Sequence, residues 1–99
     1  MSERYRPSSL GIGNRQTSAA SSATALTASN RARFYIQNVG TNPLFVKLGA
    51  SASTTDYDFI LKADTSAAAG AGGAITVDGY TGVVSVAGTS PAYCCHELT

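Results

Sequence analysis

At 99 residues the chain is the size of one domain, and with 13% charged residues and a net charge of +1 it offers no basic face for nucleic acid. No stretch approaches the ~20 apolar residues that cross a bilayer, and Met1–Pro7 carries charges with no apolar run after it. Neither a membrane partner nor a secretory leader is therefore expected.

Residues 1–22 read as a flexible N-terminal arm. They are small and polar, with Leu10 and Ile12 as the larger aliphatics and no sustained period. Arg4, Arg6 and Arg15 against Glu3 give this segment the chain's excess of positive charge. A basic segment of this kind stays solvated or orders on a partner, so the three arginines are candidate contacts to acidic groups.

Residues 23–99 read as one all-β domain of about seven strands, a small β-sandwich or barrel. Thr24, Leu26 and Ala28 alternate weakly in the first strand. Arg31 to Val39 is a clear second, with Ala32, Phe34, Ile36 and Asn38 on one face and Arg33, Tyr35, Gln37 and Val39 on the other. Turn residues follow, with Gly40 and Asn42 suited to positive φ and Pro43 closing the turn. Leu44 to Leu48 then buries Leu44, Val46 and Leu48, and the two strands predict a hairpin.

After the Ser/Thr/Ala-rich loop 49–55, Tyr57, Phe59, Leu61 and Ala63 line one face of the next strand. Asp64 to Gly73 is a small-residue loop expected to be exposed. Strands around Ile75 and Val77, around Val84 and Val86, and over Ala92 to Leu98 complete the series, with turn residues between them. The expected core is Phe34, Ile36, Leu44, Val46, Leu48, Phe59, Leu61, Ile75, Val77, Val84 and Val86. Burial at ~1.5–3 kcal/mol per large apolar side chain offsets the ordering of such a domain by a small margin.

No residue set converges on a catalytic centre, so a non-enzymatic role without a cofactor is expected. Cys94, Cys95 and His96 are adjacent on a strand and diverge, which is wrong for one tetrahedral metal. The cysteines are expected to be two thiols, at least one of them buried, and His96 a surface or interface residue. Asp56, Asp58, Asp64 and Asp78 lack calcium-loop spacing and read as solvated turn residues. The glycines at 11 and 13 and at 70, 72 and 73 do not lead from a strand into a helix, so no phosphate cradle is expected.

One feature points to partners. Tyr35, Val39, Phe45, Ile60 and Val83 lie opposite the expected core face and would form apolar outer surface. Tyr35, Phe45 and Ile60, with the three arginines, are therefore the candidate partner-binding residues, and a homo-oligomer is expected.

The run from Arg33 to Gly49, with Ile36-Gln37-Asn38, Gly40, Asn42-Pro43-Leu44 and Val46, is followed by Asp58-Phe59-Ile60-Leu61. With Gly79-Tyr80-Thr81-Gly82 and Gly88-Thr89-Ser90-Pro91, this pattern resembles small all-β structural proteins on the virions of tailed bacteriophages. The resemblance spans about residues 31–98 and implies a virion role, assembled in the host cytoplasm, with no inherited catalytic residue. The resemblance leaves the position on the virion open, and the leading expectation is a capsid decoration or cement protein bound to the major capsid protein or other virion proteins. The alternatives are a neck or tail adaptor ring, or a glycan- or receptor-binding fibre module using Tyr57, Tyr80 and Tyr93 near loops.

Overall fold

A computed structural model of the protein describes residues 15–17 by their backbone and residues 21–64 and 71–98 in full. The strands are β1 (Arg15–Thr17), β2 (Ser22–Leu26), β3 (Arg33–Asn38), β4 (Leu44–Leu48), β5 (Phe59–Leu61), β6 (Ala74–Asp78), β7 (Val84–Ala87) and β8 (Ala92–Leu98). They form two antiparallel four-stranded sheets, β1-β8-β3-β6 and β2-β7-β4-β5, which face each other as a β-sandwich. The seven expected strands are all present. An eighth, β1, comes from within the segment read as an arm, pairing Arg15–Thr17 with Cys94–Ala92. The rest of that segment, apart from Ser21 and Ser22, lies outside the described residues.

Period-two alternation places the core where the pattern requires. Phe34, Ile36, Tyr93 and Cys95 from one sheet meet Leu44, Val46, Leu61, Val84 and Val86 from the other. Phe59, Ile75 and Val77 are half-buried against this cluster, because β5 and β6 are edge strands, and Leu48 is half-buried at the end of β4. In β2 the register shifts between Thr24 and Leu26, so consecutive Ala25 and Leu26 are both buried. Thr24 and Ala28, which the simple alternation grouped with Leu26, are exposed, as is Ala32 just outside β3. Tyr57 is exposed too, because regular strand pairing begins only at Phe59.

The predicted hairpin is not one. Strand β3 pairs with β6 and β8, while β4 pairs with β5 and β7, so residues 39–43 arch from one sheet to the other. The core faces of β3 and β4 therefore meet across the interior instead of lying side by side. Asn38 holds this arch. Its Nδ2 lies 2.9, 3.0 and 3.1 Å from the carbonyls of Asn42, Leu61 and Lys62, and its Oδ1 accepts from Gly40 N. Neither Gly40 nor Asn42 has positive φ. Gly40 serves close approach instead, since a Cβ there would sit 3.1 Å from that of Ala92.

The glycine-rich loop also departs from expectation at its ends. Asp64, Ala71, Gly72 and Gly73 are half-buried, and a Cβ on Gly72 would fall 1.9 Å from the Asn38 carbonyl oxygen. Backbone bonds from Asn38 N to Gly73 O and from Gly73 N to Lys62 O tie the loop to the arch. Residues 65–70 lie outside the described set.

The opposite end of β3 is closed by Arg31, whose side chain is fully buried. Its Nε donates to Glu97 Oε1 at 2.7 Å, and its Nη1 donates to the carbonyls of Tyr80 and Gly82 at 2.9 and 3.0 Å. Nη2 donates to the Thr27 carbonyl, and the guanidinium carbon stands 5.8 Å from the centre of the Phe34 ring. Glu97 is in turn bonded by the Ser29 hydroxyl at 2.9 Å. One cation thus joins the β2–β3 loop, the β6–β7 loop and the end of β8.

Two substitutions test these closures. Arg31→Met removes the cation from Glu97, which keeps the Ser29 hydroxyl, and the donor from three loop carbonyls, and is expected to cost about 3 kcal/mol in denaturant unfolding. Glu97→Gln, at a partly exposed site that keeps an acceptor for Arg31, should cost clearly less. Asn38→Ala removes the partner of Gly40 N and the amide protons shared by the arch carbonyls, of which Lys62 O keeps its bond from Gly73 N, and is expected to cost about 2–3 kcal/mol by the same measurement.

Candidate interaction surface

The outer face of the sheet β2-β7-β4-β5 is divided between a covered half and an open half. Over β7 the loop 49–53 folds back. Ala52 N donates to Ser85 Oγ at 2.9 Å, Ser85 Oγ donates to Gly49 O at 2.7 Å, and Ser22 Oγ donates to Ala52 O at 2.9 Å. Core on one side and loop on the other leave all four β7 residues buried.

The loop leaves β4 and β5 uncovered. Phe45 and Ile60 are direct cross-strand partners there, and the Tyr57 ring packs on Phe45 edge-on at 5.1 Å between centroids. Ile60 is 51% exposed and Tyr57 39%, the two exposed large hydrophobic residues among those described. Charged groups rim this patch. Lys47 Nζ pairs with Asp56 Oδ2 at 2.6 Å, and Asp58 Oδ2 accepts from Leu48 N at 2.8 Å. Lys62 lies exposed just beyond β5. The result is an aromatic and aliphatic spot with a polar rim on an edge strand, the composition of a small protein–protein contact.

Of the candidate partner-binding residues, the fold brings Phe45 and Ile60 together. Tyr35 lies on the other sheet, outward-facing, with its ring 6.5 Å from that of His96 and its hydroxyl donating to Gln37 Oε1 at 3.3 Å. It belongs to a different, more polar surface. Arg15 stands in β1 at the register position opposite Cys94. Arg4 and Arg6 lie outside the described residues. Val39 and Val83, grouped with these as outer surface, are half-buried. Tyr57 belongs to the patch although its position in the pattern grouped it with the core. The signal that could have placed it outside is Asp56-Tyr57-Asp58, a polar frame unsuited to a buried strand.

The three loop tyrosines do not form a common platform. Tyr93 is buried in the core, and Tyr80 packs edge-on against Phe34 while its hydroxyl donates to Val83 O at 2.8 Å. Asp56, Asp58 and Asp78 are exposed, with Asp78 paired to Arg33 at 2.8 Å, whereas Asp64 is half-buried. Among the described residues no group of three His, Cys, Asp or Glu side chains is placed to hold a metal ion.

No family model, curated protein or solved structure matches this chain.

The cysteines behave as strand neighbours do. Cys95 faces the core opposite Ile36, while Cys94 is half-buried on the outer face opposite Gln37, and both are thiols. Burial, helped by neighbouring Cys94 and Glu97, pushes the Cys95 thiol up from 9.0 to about 12. Below pH 9 the thiol is protonated in both folded and unfolded chains. Between there and about 12 only the unfolded chain sheds the proton, so stability falls as pH rises. Burial raises Tyr93 as well, in the same direction. Denaturant unfolding across this alkaline range is expected to show the decline, and Cys95→Ala should flatten its slope.

Proposed function

We propose that this protein is a structural component of a tailed-phage virion, a capsid decoration or cement protein that reinforces the shell through protein–protein contacts. The observation that carries the reading is the open Tyr57–Phe45–Ile60 patch on the outer face of an edge strand, in a chain with few charges. A small sandwich with a thin margin of stability gains from neighbours that cover such a patch.

The motif that resembles phage structural proteins supports the virion setting. Its Asn38, Gly40, Asn42 and Pro43 build the arch between the sheets, so the likeness resides in a structural element and not in a catalytic one. The N-terminal segment supplies a second contact in this reading, with Arg4 and Arg6 meeting acidic groups on the major capsid protein or other virion proteins. Repeated copies multiply modest individual contacts. A ring adaptor at the neck or tail uses the same elements and is the second reading. A glycan-binding fibre module draws less support, because Tyr57 alone of the three tyrosines is exposed.

Purified virions, quantified by calibrated mass spectrometry against the major capsid protein, test the assignment. A copy number that follows the capsid lattice is the expected result. A number matching one ring moves the protein to the neck or tail, and absence from virions overturns the proposal.

A further inference from the structure

Strand β5 ends its sheet, and among the described residues no strand pairs with its far side. Beyond its end Lys62 O accepts from Gly73 N, which leaves the edge open over Phe59 and Ile60. Ile60 projects outward at its centre, while its neighbours Phe59 and Leu61 face the core. The charges around it are arranged symmetrically. Arg31, Arg33 and Lys47 are paired with Glu97, Asp78 and Asp56. Asp58 and Lys62 are the exposed charged side chains that enter no ion pair among the described residues, and they stand two positions before and two positions after Ile60.

We propose that β5 pairs antiparallel with β5 of a second copy, about a two-fold axis through Ile60. In this register Asp58 faces Lys62 of the second copy, the reverse pair repeats the contact, and Ile60 packs on its own symmetry mate. Parallel pairing would set Asp58 against Asp58 and Lys62 against Lys62, which like-charge repulsion disfavours. A slip of two residues would lose both ion pairs, and a slip of one would set core-facing positions against Ile60. The self-complementary charges therefore select one orientation and one register.

The contact is isologous and closes at two copies, so it does not propagate into fibres. It runs the sheet on through the dimer as β2-β7-β4-β5-β5-β4-β7-β2. Phe45 and Tyr57 of both copies flank the axis and lose water on association. The short length of β5 keeps the pairing modest, which suits a contact reinforced by other neighbours.

This inference rests on the assembly reading only for its use of the Phe45–Ile60 face. Self-association of purified protein and incorporation into virions are separate measurements, and either result can fail without the other.

Sedimentation velocity on the full chain, from about 1 μM to about 1 mM, tests the pairing. Wild-type protein should pass from monomer to dimer within that range. Asp58→Lys and Lys62→Asp should each move the midpoint about tenfold or more toward higher concentration, because two screened attractions become repulsions. The double variant Asp58→Lys/Lys62→Asp should recover dimerisation, and Ile60→Lys should abolish it. Circular dichroism checks the fold of each variant, since the Asp58 carboxylate also accepts from Leu48 N. If Asp58→Lys does not fold, Lys62→Asp and Ile60→Lys decide the matter, because neither side chain makes that bond. A monomer throughout the range, single variants that dimerise like wild type, or a folded double variant without recovery would overturn the proposal.

Discussion

Strand β3 runs through the centre of the molecule with a buried hydrogen-bonding side chain at each of its ends, and the loops are organised around those two groups. Every connection except β4–β5 passes from one sheet to the other, and backbone carbonyls from four of these crossings are gathered by the two groups. At one end Arg31 satisfies three such carbonyls and the Glu97 carboxylate. At the other, the Asn38 amide serves Asn42, Leu61, Lys62 and Gly40. A buried ion pair is a weak source of net stability, since desolvation offsets the attraction. Its force lies in the penalty for any arrangement that leaves these groups unpaired, which singles out one way of connecting the strands.

That arrangement has a consequence for folding. The central partner of β3 is β8, so Arg33 to Asn38 wait for Leu98 to Tyr93 before the sheet can close. The pairing of β2 with β7 is similarly distant in sequence. Loop-closure entropy is spent before such contacts return any free energy, so folding on the slower side for a domain of this size is the physical expectation. The buried arginine ties the last strand to loops from the first third and the later half of the chain, which makes closure cooperative.

The two outer faces differ in kind. Loop 49–53 covers β7 and leaves the Phe45–Ile60 patch at the sheet edge, whereas the other face carries Tyr35, His96, Gln37 and the Arg33–Asp78 pair. A domain with one apolar edge and one polar face is suited to sit against neighbours in a defined orientation. In the proposed assembly, the apolar edge supplies contact area, and the charges of Asp58 and Lys62 supply register.

Strand positions and most of the core were readable from the sequence by itself. Alternation over Phe34–Ile36 and Leu44–Val46 is a local property of extended backbone, and it holds whichever strands become neighbours. The outward placement of Ile60 followed from the same rule. What alternation cannot express is pairing. The residues 39–43 that read as a hairpin turn became an arch, because the core faces on either side could be buried against each other only across two sheets. The burial of Arg31 was invisible for the same reason, since its partners come from Thr27, Tyr80, Gly82 and Glu97. The β1 pairing depended on the open side of β8, and the packed ends of the glycine-rich loop on the Asn38 carbonyl. Local chemistry therefore determined which side chains face inward along the regular strands, β3 and β4 above all. Strand partners, loop closure and the shape of the exposed patch were decided by tertiary structure, because they require groups far apart in sequence to satisfy one another.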